Sequence, residues 1–198
     1  ANFATGDMMS FGTMFAVLLT YHFQSIGIGL GFLPTALLTL PLAILAMILY
    51  MLFIDKFVFK YYRISKSAPV QLAMVSVGVM FVTQAIIRII IGPFDRRFMD
   101  GEKFILKASE FKEMTGLSEG LTIKSTQAIT LVVTIILVST LFWFLNKTKT
   151  GTSMRAYSDN EDLALLSGID PKKVVMITWI IAGFLATVGG VLYGLDKS

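Results

Sequence analysis

Long apolar runs separated by short polar segments dominate this chain. Four of them reach the roughly 20 residues that a helix needs to cross the hydrocarbon core of a bilayer. They cover residues 32–54, 70–91, 126–145 and 174–195. Because open sheet edges and irregular backbone cannot face lipid, these runs predict membrane-spanning helices. With the shorter run described next, the predicted fold is an all-α polytopic bundle of about five membrane segments.

A shorter apolar run, residues 8–22, follows the polar opening ANFATGD. At about 1.5 Å per residue this run would extend about 22 Å, less than the roughly 30 Å of a hydrocarbon core. Two interpretations remain open. The opening is either a break within a membrane helix or a helix cut where the recorded sequence starts. The absence of an initiator Met favours a fragment, and residues 1–198 are predicted to form a single transmembrane domain that is truncated at both ends.

Composition supports a membrane protein and excludes several kinds of chemistry. Hydrophobic residues make up 55% of the chain and charged residues 15%, where soluble domains carry roughly 25% charged residues. The mean hydropathy is +0.75. The chain has no cysteine, so disulfides and thiolate chemistry are excluded. His22 is the single histidine and has no acidic partner at ligand spacing, so no metal site is expected.

Basic residues predict the orientation in the membrane. Residues 55–69 carry four lysines and arginines, whereas residues 23–31 carry none. Short loops rich in Lys and Arg stay in the cytoplasm, so 55–69 is predicted to be cytoplasmic. Alternation then places 146–173 in the cytoplasm and 92–125 outside.

One polar segment, TGTSMRAYSDNEDLALLSGIDPKKVV, contains the signals of a short helix. Ser158 and Glu161 have the spacing of a capping box, and Gly168 stands where a helix would end. These signals predict a helix over residues 159–167. It is too short to span a membrane and too polar to be buried in one.

The residues around this helix allow two interpretations. Asp170 and Pro171 resemble the N-cap and first residue of the next helix, and Leu163 and Leu166 give the short helix an apolar side. The helix is therefore either an amphipathic connector on the membrane surface or a docking helix for a cytoplasmic partner.

The same segment resembles the coupling region of branched-chain amino acid ABC transporter permeases. That family has a pattern of Arg-Ala, an Asn or Asp, an Ala and a Gly-Ile pair, matched here by Arg155, Ala156, Asn160, Ala164, Gly168 and Ile169. The opening NFATGD is similar to a second family motif, although Thr5 stands where His or Gln is common. MVSVGVMFVTQ is similar to a third, through Ser76, Gly78 and Gln84.

The resemblance implies a transport subunit of an ATP-driven importer for branched-chain or other hydrophobic amino acids, in a bacterial inner membrane. A permease for urea, short amides or simple sugars is an alternative, and a membrane-embedded enzyme or scaffold is a more remote one. The sequence has no G-x-x-x-x-G-K-[ST] phosphate loop and no catalytic motif. No catalytic residue and no bound cofactor are therefore expected, and a partner would use the ATP.

The resemblance also implies partners. They are a second, homologous permease subunit, two ABC ATPase subunits, a periplasmic or lipid-anchored substrate-binding protein and membrane lipid, with no nucleic acid. The external segment FILKASEFKEMTGL mixes apolar and charged residues at near-helical spacing. It predicts a partial helix on which a binding protein could dock.

Three groups of residues are candidates for function. Those implied for the substrate path are Asn2, Phe3, Gly6, Ser76, Gly78 and Gln84. Those implied for contact with the ATPase are Arg155, Ala156, Asn160, Leu163, Ala164, Leu166 and Gly168. Ala182, Ala186, Gly190 and Gly194 recur every four residues and predict close helix packing. Arg88, an ionisable residue within a span, is a candidate for function by default. It lies near the span end, so the favoured interpretation is that its side chain reaches the interface.

Overall fold

The structure, a computed structural model, describes residues 3–28, 35–65, 67–92, 96, 98, 105–106 and 123–197. Within these residues the chain forms eight α-helices, a π-helical turn and one two-residue strand pair. The helices are α1 (Thr5–Ser25), α2 (Ala36–Ile54), α3 (Lys60–Ile64), α4 (Pro69–Ile91), α5 (Ser125–Lys147), α6 (Lys149–Asp159), α7 (Glu161–Leu166) and α8 (Pro171–Asp196). The π-helical turn is Asp55–Phe59, and β1 (Ile105–Leu106) pairs antiparallel with β2 (Ile123–Lys124).

Four helical segments are long and apolar enough to cross a membrane, which confirms the predicted spans. They are Ala36–Ile64, Pro69–Ile91, Thr126–Lys147 and Pro171–Asp196. The all-α polytopic fold class is therefore confirmed. The second, third and fourth segments begin and end within a few residues of their predicted bounds. The first segment continues well past residue 54.

Two predicted boundaries were wrong. The run over residues 8–22 belongs to a helix of 21 residues, Thr5–Ser25, about 31 Å long. Thr5, Gly6 and Asp7 form its first turn, so the helix is longer than the apolar run. Residues 55–69 were expected to form a loop, but the π-helical turn and α3 continue the helix through Ile64. Arg63 makes this possible because its guanidinium folds back onto the carboxylate of Asp55.

The chain divides into two compact units. The first comprises Ala1–Gly101 and Val175–Ser198, and the second Glu102–Val174. In the first, α1 packs on α2 through rings and hydroxyls. The Phe11 ring stacks on Tyr50 with centroids 3.9 Å apart, and the Thr20 and Thr39 hydroxyls lie 3.2 Å apart. Stacked rings and paired buried hydroxyls align the two helices without leaving a polar group unpaired.

Helix α8 packs against α1 and α2 through its small residues. An added Cβ at Gly183 would lie 3.2 Å from the Met51 sulfur, and one at Gly190 would lie 2.9 Å from the Met9 carbonyl oxygen. Buried methionines, among them Met8, Met47 and Met51, fill the core between these helices. Unbranched methionine side chains suit such irregular gaps.

The second unit contains α5, α6 and α7. The Thr148 hydroxyl accepts a hydrogen bond from the Gly151 amide at 3.0 Å, which caps α6. A side chain at Gly151 would overlap the backbone of Phe144 and Leu145, so glycine is required for this tight turn. The most apolar window of α5, which the structure describes in full, contains no residue buried within the chain.

The short helix of the second unit begins later than predicted. Helix α7 spans Glu161–Leu166, and Asn160 caps it by accepting the Leu163 amide at 3.0 Å. Ser158 lies inside α6, so the Ser158–Glu161 capping box is wrong. Glu161 instead accepts the Tyr157 hydroxyl at 2.6 Å. Ser and Asn are both good cap residues, so Ser158 and Asn160 were both plausible caps. Ser158 does not cap α7 because it lies within α6, which begins after its own cap residue, Thr148.

The predicted end of α7 and the predicted start of α8 have the expected geometry. Gly168 has φ +80°, and its amide donates to the Leu165 carbonyl while the Ile169 amide donates to the Ala164 carbonyl, both at 3.0 Å. This pair of bonds is a Schellman motif. Asp170 caps α8 by accepting the Lys172 amide at 2.9 Å. The predicted external helix falls on residues 104–117, of which only the Ile105–Leu106 strand is described.

Candidate functional site

The opening segment lies against the interior of α4. The Phe3 amide donates to the Ser76 hydroxyl at 3.2 Å, and the Gln84 amide nitrogen donates to the Asp7 carboxylate at 3.0 Å. Ser76 is buried. The fold therefore brings the candidates Phe3, Ser76 and Gln84 together from two distant parts of the sequence. Asn2 lies outside the described residues.

The two candidate glycines have different surroundings. Gly6 lies in the first turn of α1 and lines a cavity. Gly78 lies on an exposed face of α4 and does not line that cavity. A Cβ would meet no atom within 4 Å at either position, so neither glycine is required for helix contact. Gly6 therefore lies on the cavity wall near the opening segment, whereas Gly78 lies outside the cavity lining.

A cavity of about 1180 Å³ lies between α1, the end of α4 and the end of α8. Its lining from α1 includes Met9, Ser10, Thr13, Met14 and Val17, together with Gly6. The remaining lining residues are Ile87, Arg88, Ile91, Gly92, Arg96, Phe98, Gly190, Tyr193, Gly194 and Lys197. The wall is mostly apolar with a few hydroxyls, and this composition is typical of sites for small organic molecules.

Three cations line the same cavity. They are Arg88 at the end of α4, Arg96 after it, and Lys197 at the end of α8. Arg88, which was expected to reach the membrane interface, lines this cavity. Positively charged side chains attract a carboxylate or another anion. Among the described residues, no three His, Asp or Glu side chains cluster closely enough to hold a metal ion.

Helix α7 exposes its leucines. Leu163 is 61% exposed and Leu166 is 85% exposed, although both are large apolar residues. Ala164 was expected to lie on the same outward surface, but it is buried at 3% exposure. The reason is geometric, since Ala164 supplies the carbonyl that closes the Schellman motif and faces into the turn. Gly168 is needed for its positive φ.

The remaining coupling candidates hold this region together. Arg155 donates to the Asn146 side-chain oxygen at 3.0 Å, which ties α6 to the end of α5. The Ala156 carbonyl accepts the Asn160 amide at 3.0 Å, and this bond ends α6. Asn160 then caps α7. Contacts of Arg155, Ala156 and Asn160 therefore fix the position of α7.

The four-residue stripe of α8 lies where helices approach closely. Ala186 is buried, and Ala182 packs against the same core cluster. A Cβ at Gly190 would collide with the Thr13 hydroxyl, and one at Gly194 would lie 2.8 Å from the Phe98 ring. Gly190 and Gly194 also line the cavity, so the stripe shapes the cavity wall as well as the helix contact.

Another polar site joins three residues that sequence reasoning did not propose for function, namely Asp55, Arg63 and Trp179. Asp55 accepts hydrogen bonds from Arg63 and from the indole nitrogen of Trp179, the latter at 2.7 Å. The available signal was an acidic residue directly after an apolar run. It was masked by the surrounding lysines, which made residues 55–69 resemble an ordinary basic loop.

Comparisons with known proteins identify the family. The chain matches the family described as branched-chain amino acid transport system / permease component over residues 1–197. It is similar to the "Probable branched-chain amino acid transport permease protein LivH" of Methanocaldococcus jannaschii, at 43% identity over 58 residues, covering 29% of this chain and 18% of the relative. It is also similar to the "Nucleoside ABC transporter permease protein NupB" of Lactococcus lactis, at 33% identity over 95 residues, covering 48% and 26%.

The chain thus spans 18% and 26% of the lengths of these two relatives. No solved structure matches it. The family match nevertheless extends over nearly the whole chain and agrees with four apolar helices of spanning length. The chain belongs to the branched-chain amino acid transport permease family, whose members are membrane subunits of ABC transporters.

Proposed function

We propose that the chain is part of the membrane subunit of an ABC importer that moves branched-chain and other hydrophobic amino acids into the cell. The family match over residues 1–197 and the relative named as a branched-chain amino acid permease support this substrate class. The proposed location is the inner membrane of a bacterium. Residues 55–69 and 146–173 face the cytoplasm there, and residues 92–125 face outward, as the basic residues indicate.

The observation that carries the proposal is the exposed, rigidly ended helix α7. Asn160 caps its start and a Schellman motif around Gly168 fixes its end. Leu163 and Leu166 nevertheless remain open to solvent. An apolar pair on a helix that is fixed at both ends suits insertion into a groove of a partner. The proposed partner is an ABC ATPase subunit.

The cavity in the first unit suits an amino acid with an apolar side chain. Met9, Met14, Val17 and Ile87 offer apolar contact, and a carboxylate would be attracted to Arg88 and the other two cations. The opening segment beside Ser76 and Gln84 adjoins this cavity through Gly6. We place the substrate path here, with Gly6 at its wall.

Nucleosides are the second candidate substrate. The relative named as a nucleoside permease matches over 95 residues, compared with 58 for the amino acid permease. A nucleoside carries no carboxylate that the three cations of the cavity could attract. That difference favours amino acids. Urea, short amides and simple sugars would require a more polar wall than the methionines and isoleucines provide.

Other subunits would complete the transporter. The sequence has no phosphate-binding loop, so ATP would be used by two ATPase subunits and no cofactor would be held by this chain. A second, homologous permease subunit would form the other half of the path. A periplasmic or lipid-anchored binding protein would deliver the substrate from outside.

Uptake by the full-length permease tests the proposal. The permease is reconstituted in vesicles with its ATPase and binding protein, and radiolabelled leucine and adenosine are compared at equal concentration. We expect ATP-dependent accumulation of leucine, with unlabelled isoleucine and valine as competitors. Accumulation of adenosine that excess leucine does not inhibit would assign the transporter to nucleosides instead.

A further inference from the structure

Asp55 is a largely buried carboxylate that binds two other parts of the fold. Its two oxygens accept from the Arg63 guanidinium at 2.9 and 3.2 Å, and one of them also accepts the Trp179 indole N–H at 2.7 Å. The Asp55 side chain is 15% exposed. Hydrogen bonds to an ionised group in a sheltered place are stronger than neutral ones, so this site is a firm attachment.

The attachment lies at an irregular point of the membrane helix. Asp55 begins the π-helical turn Asp55–Phe59, and Arg63 reaches back to it from α3, eight residues later. The Phe59 ring lies 5.4 Å from the Trp179 ring, beside the hydrogen bond. Turns of this kind interrupt α-helices and often occur at functional sites. The end of the α2 segment therefore holds α8 by both a charge and a ring contact.

Trp179 belongs to the helix that directly follows α7. The Schellman motif at Gly168 leads to Asp170, which caps α8, and α8 then continues from Pro171 through Trp179. That stretch is about 12 Å of uninterrupted helix. The capped start of α8 and Trp179 thus belong to one continuous helix.

We propose that Asp55 is a positioning residue through which movement of α8 is transmitted to α2. This inference rests on the proposed function, since it assumes that an ATPase moves α7. When α8 shifts, the indole N–H pulls on the Asp55 carboxylate, and the π-helical turn gives way because its backbone is already irregular. Arg63 holds the carboxylate in position, so that its oxygen stays within reach of the indole.

A purely structural tie between the helices predicts different behaviour. Loss of such a tie would lower the amount of folded permease and all its activities together. Loss of a transmitting contact would leave assembly and ATP hydrolysis intact but lower the substrate moved per ATP. The ratio of uptake to hydrolysis separates these two roles.

The experiment uses the full-length permease with its ATPase and binding protein in vesicles. Trp179→Phe keeps the ring beside Phe59 but removes the N–H donor. Trp143→Phe is the matched control, because Trp143 is 62% exposed on α5. The exchange Asp55→Arg with Arg63→Asp restores an ion pair while placing a guanidinium, which cannot accept a hydrogen bond, opposite Trp179. Uptake, ATP hydrolysis and ATPase co-purification are measured for each.

We expect Trp179→Phe and the exchanged pair to lower uptake per ATP by about tenfold, as for loss of one hydrogen bond to a charged group, with unchanged ATPase co-purification. Trp143→Phe should equal the unmodified permease. An unchanged ratio in both test variants, or full recovery in the exchanged pair, would overturn the role of Asp55. If the unmodified permease fails to bind any ATPase, the proposed function itself fails. That outcome differs from an unchanged ratio of uptake to hydrolysis, which would overturn only the role of Asp55.

Discussion

The Gln84 side chain donates a hydrogen bond to the Asp7 carboxylate, with 3.0 Å between Nε2 and Oδ1. The two residues are 77 positions apart in sequence. Gln84 lies in the interior of a span, so the first turn of α1 begins alongside a membrane helix and not at its end. The contact therefore joins the first turn of α1 to the interior of α4.

Gln84→Leu should destabilise the permease because it leaves the half-buried Asp7 carboxylate without its amide donor. The expected loss is about 1.5–3 kcal/mol, the range for hydrogen bonds to charged groups. Thermal unfolding in detergent measures it. The double variant Asp7→Leu with Gln84→Leu is the control, since removing both partners costs less than stranding one. If the double variant is the less stable, the contact does not act in this way.

Gly6→Leu should impair transport without impairing assembly. The Cβ at Gly6 meets no neighbouring atom, so a larger side chain fits the fold but narrows the cavity that Gly6 lines. Gly78→Leu is a matched control, because its Cβ is equally free but it lies away from the cavity. Uptake and the yield of intact complex are compared. Equal uptake in the two variants would remove Gly6 from the substrate path.

Local signals predicted the parts of the fold that depend on nearby residues. The spans follow from long apolar runs, and Gly168 follows from the positive φ that a Schellman motif requires. The continuation of α2 through Ile64 could not be predicted in this way. The polar residues after Ile54 resemble a loop, and the side chain that sustains the helix, Arg63, pairs with Asp55 eight positions away.

Contacts between distant segments account for most of the remaining misses. The resemblance supplied Ser76 and Gln84 as candidates, but no sequence pattern pairs Gln84 with Asp7 or Asp55 with Trp179, which is 124 positions away. The resemblance implied Ala164 for contact with the ATPase, but the residue is buried. Its burial depends on how α7 turns into Gly168, which only the three-dimensional structure reveals.

Gly190→Ala should destabilise the helix bundle, because the added methyl group would meet the Met9 carbonyl and the Thr13 hydroxyl. Overpacking of this kind costs typically about 1–3 kcal/mol. Gly189→Ala is the neighbouring control, since its Cβ would contact only the Met9 methyl at an ordinary 3.4 Å. Unfolding temperatures of the two purified variants are compared. Equal stability would show that α1 and α8 adjust to the methyl group.

Single cysteines test the predicted orientation, and the chain supplies a cysteine-free background. Lys60→Cys lies in the basic segment predicted to be cytoplasmic, and Lys112→Cys lies in the segment predicted to be external. In intact cells an impermeant thiol reagent should label the second and not the first. Both should be labelled after the membrane is opened. The reverse pattern in intact cells would invert the topology.

The outward leucines of α7 should determine the affinity for the ATPase. Burying one leucine contributes roughly 1.5–3 kcal/mol, so Leu166→Glu should weaken association about 10- to 150-fold. Ser158→Glu adds the same charge at an exposed position of α6 and should have little effect. Affinity of the full-length permease for the purified ATPase is measured directly. Equal affinity in both variants would make α7 a simple connector.

Gly168 should matter for transport because its backbone conformation sets the direction of α7. Its small size at the contact surface should not matter. Gly168→Leu forces a branched side chain into a backbone with φ +80°, whereas Gly168→Asn places there a residue that tolerates this conformation. We expect the leucine variant to lose ATP-driven uptake and the asparagine variant to retain most of it. Membrane insertion should be equal in both, because the spans are unchanged. If contact size at Gly168 were decisive instead, Asn and Leu, which have similar volumes, would impair uptake equally.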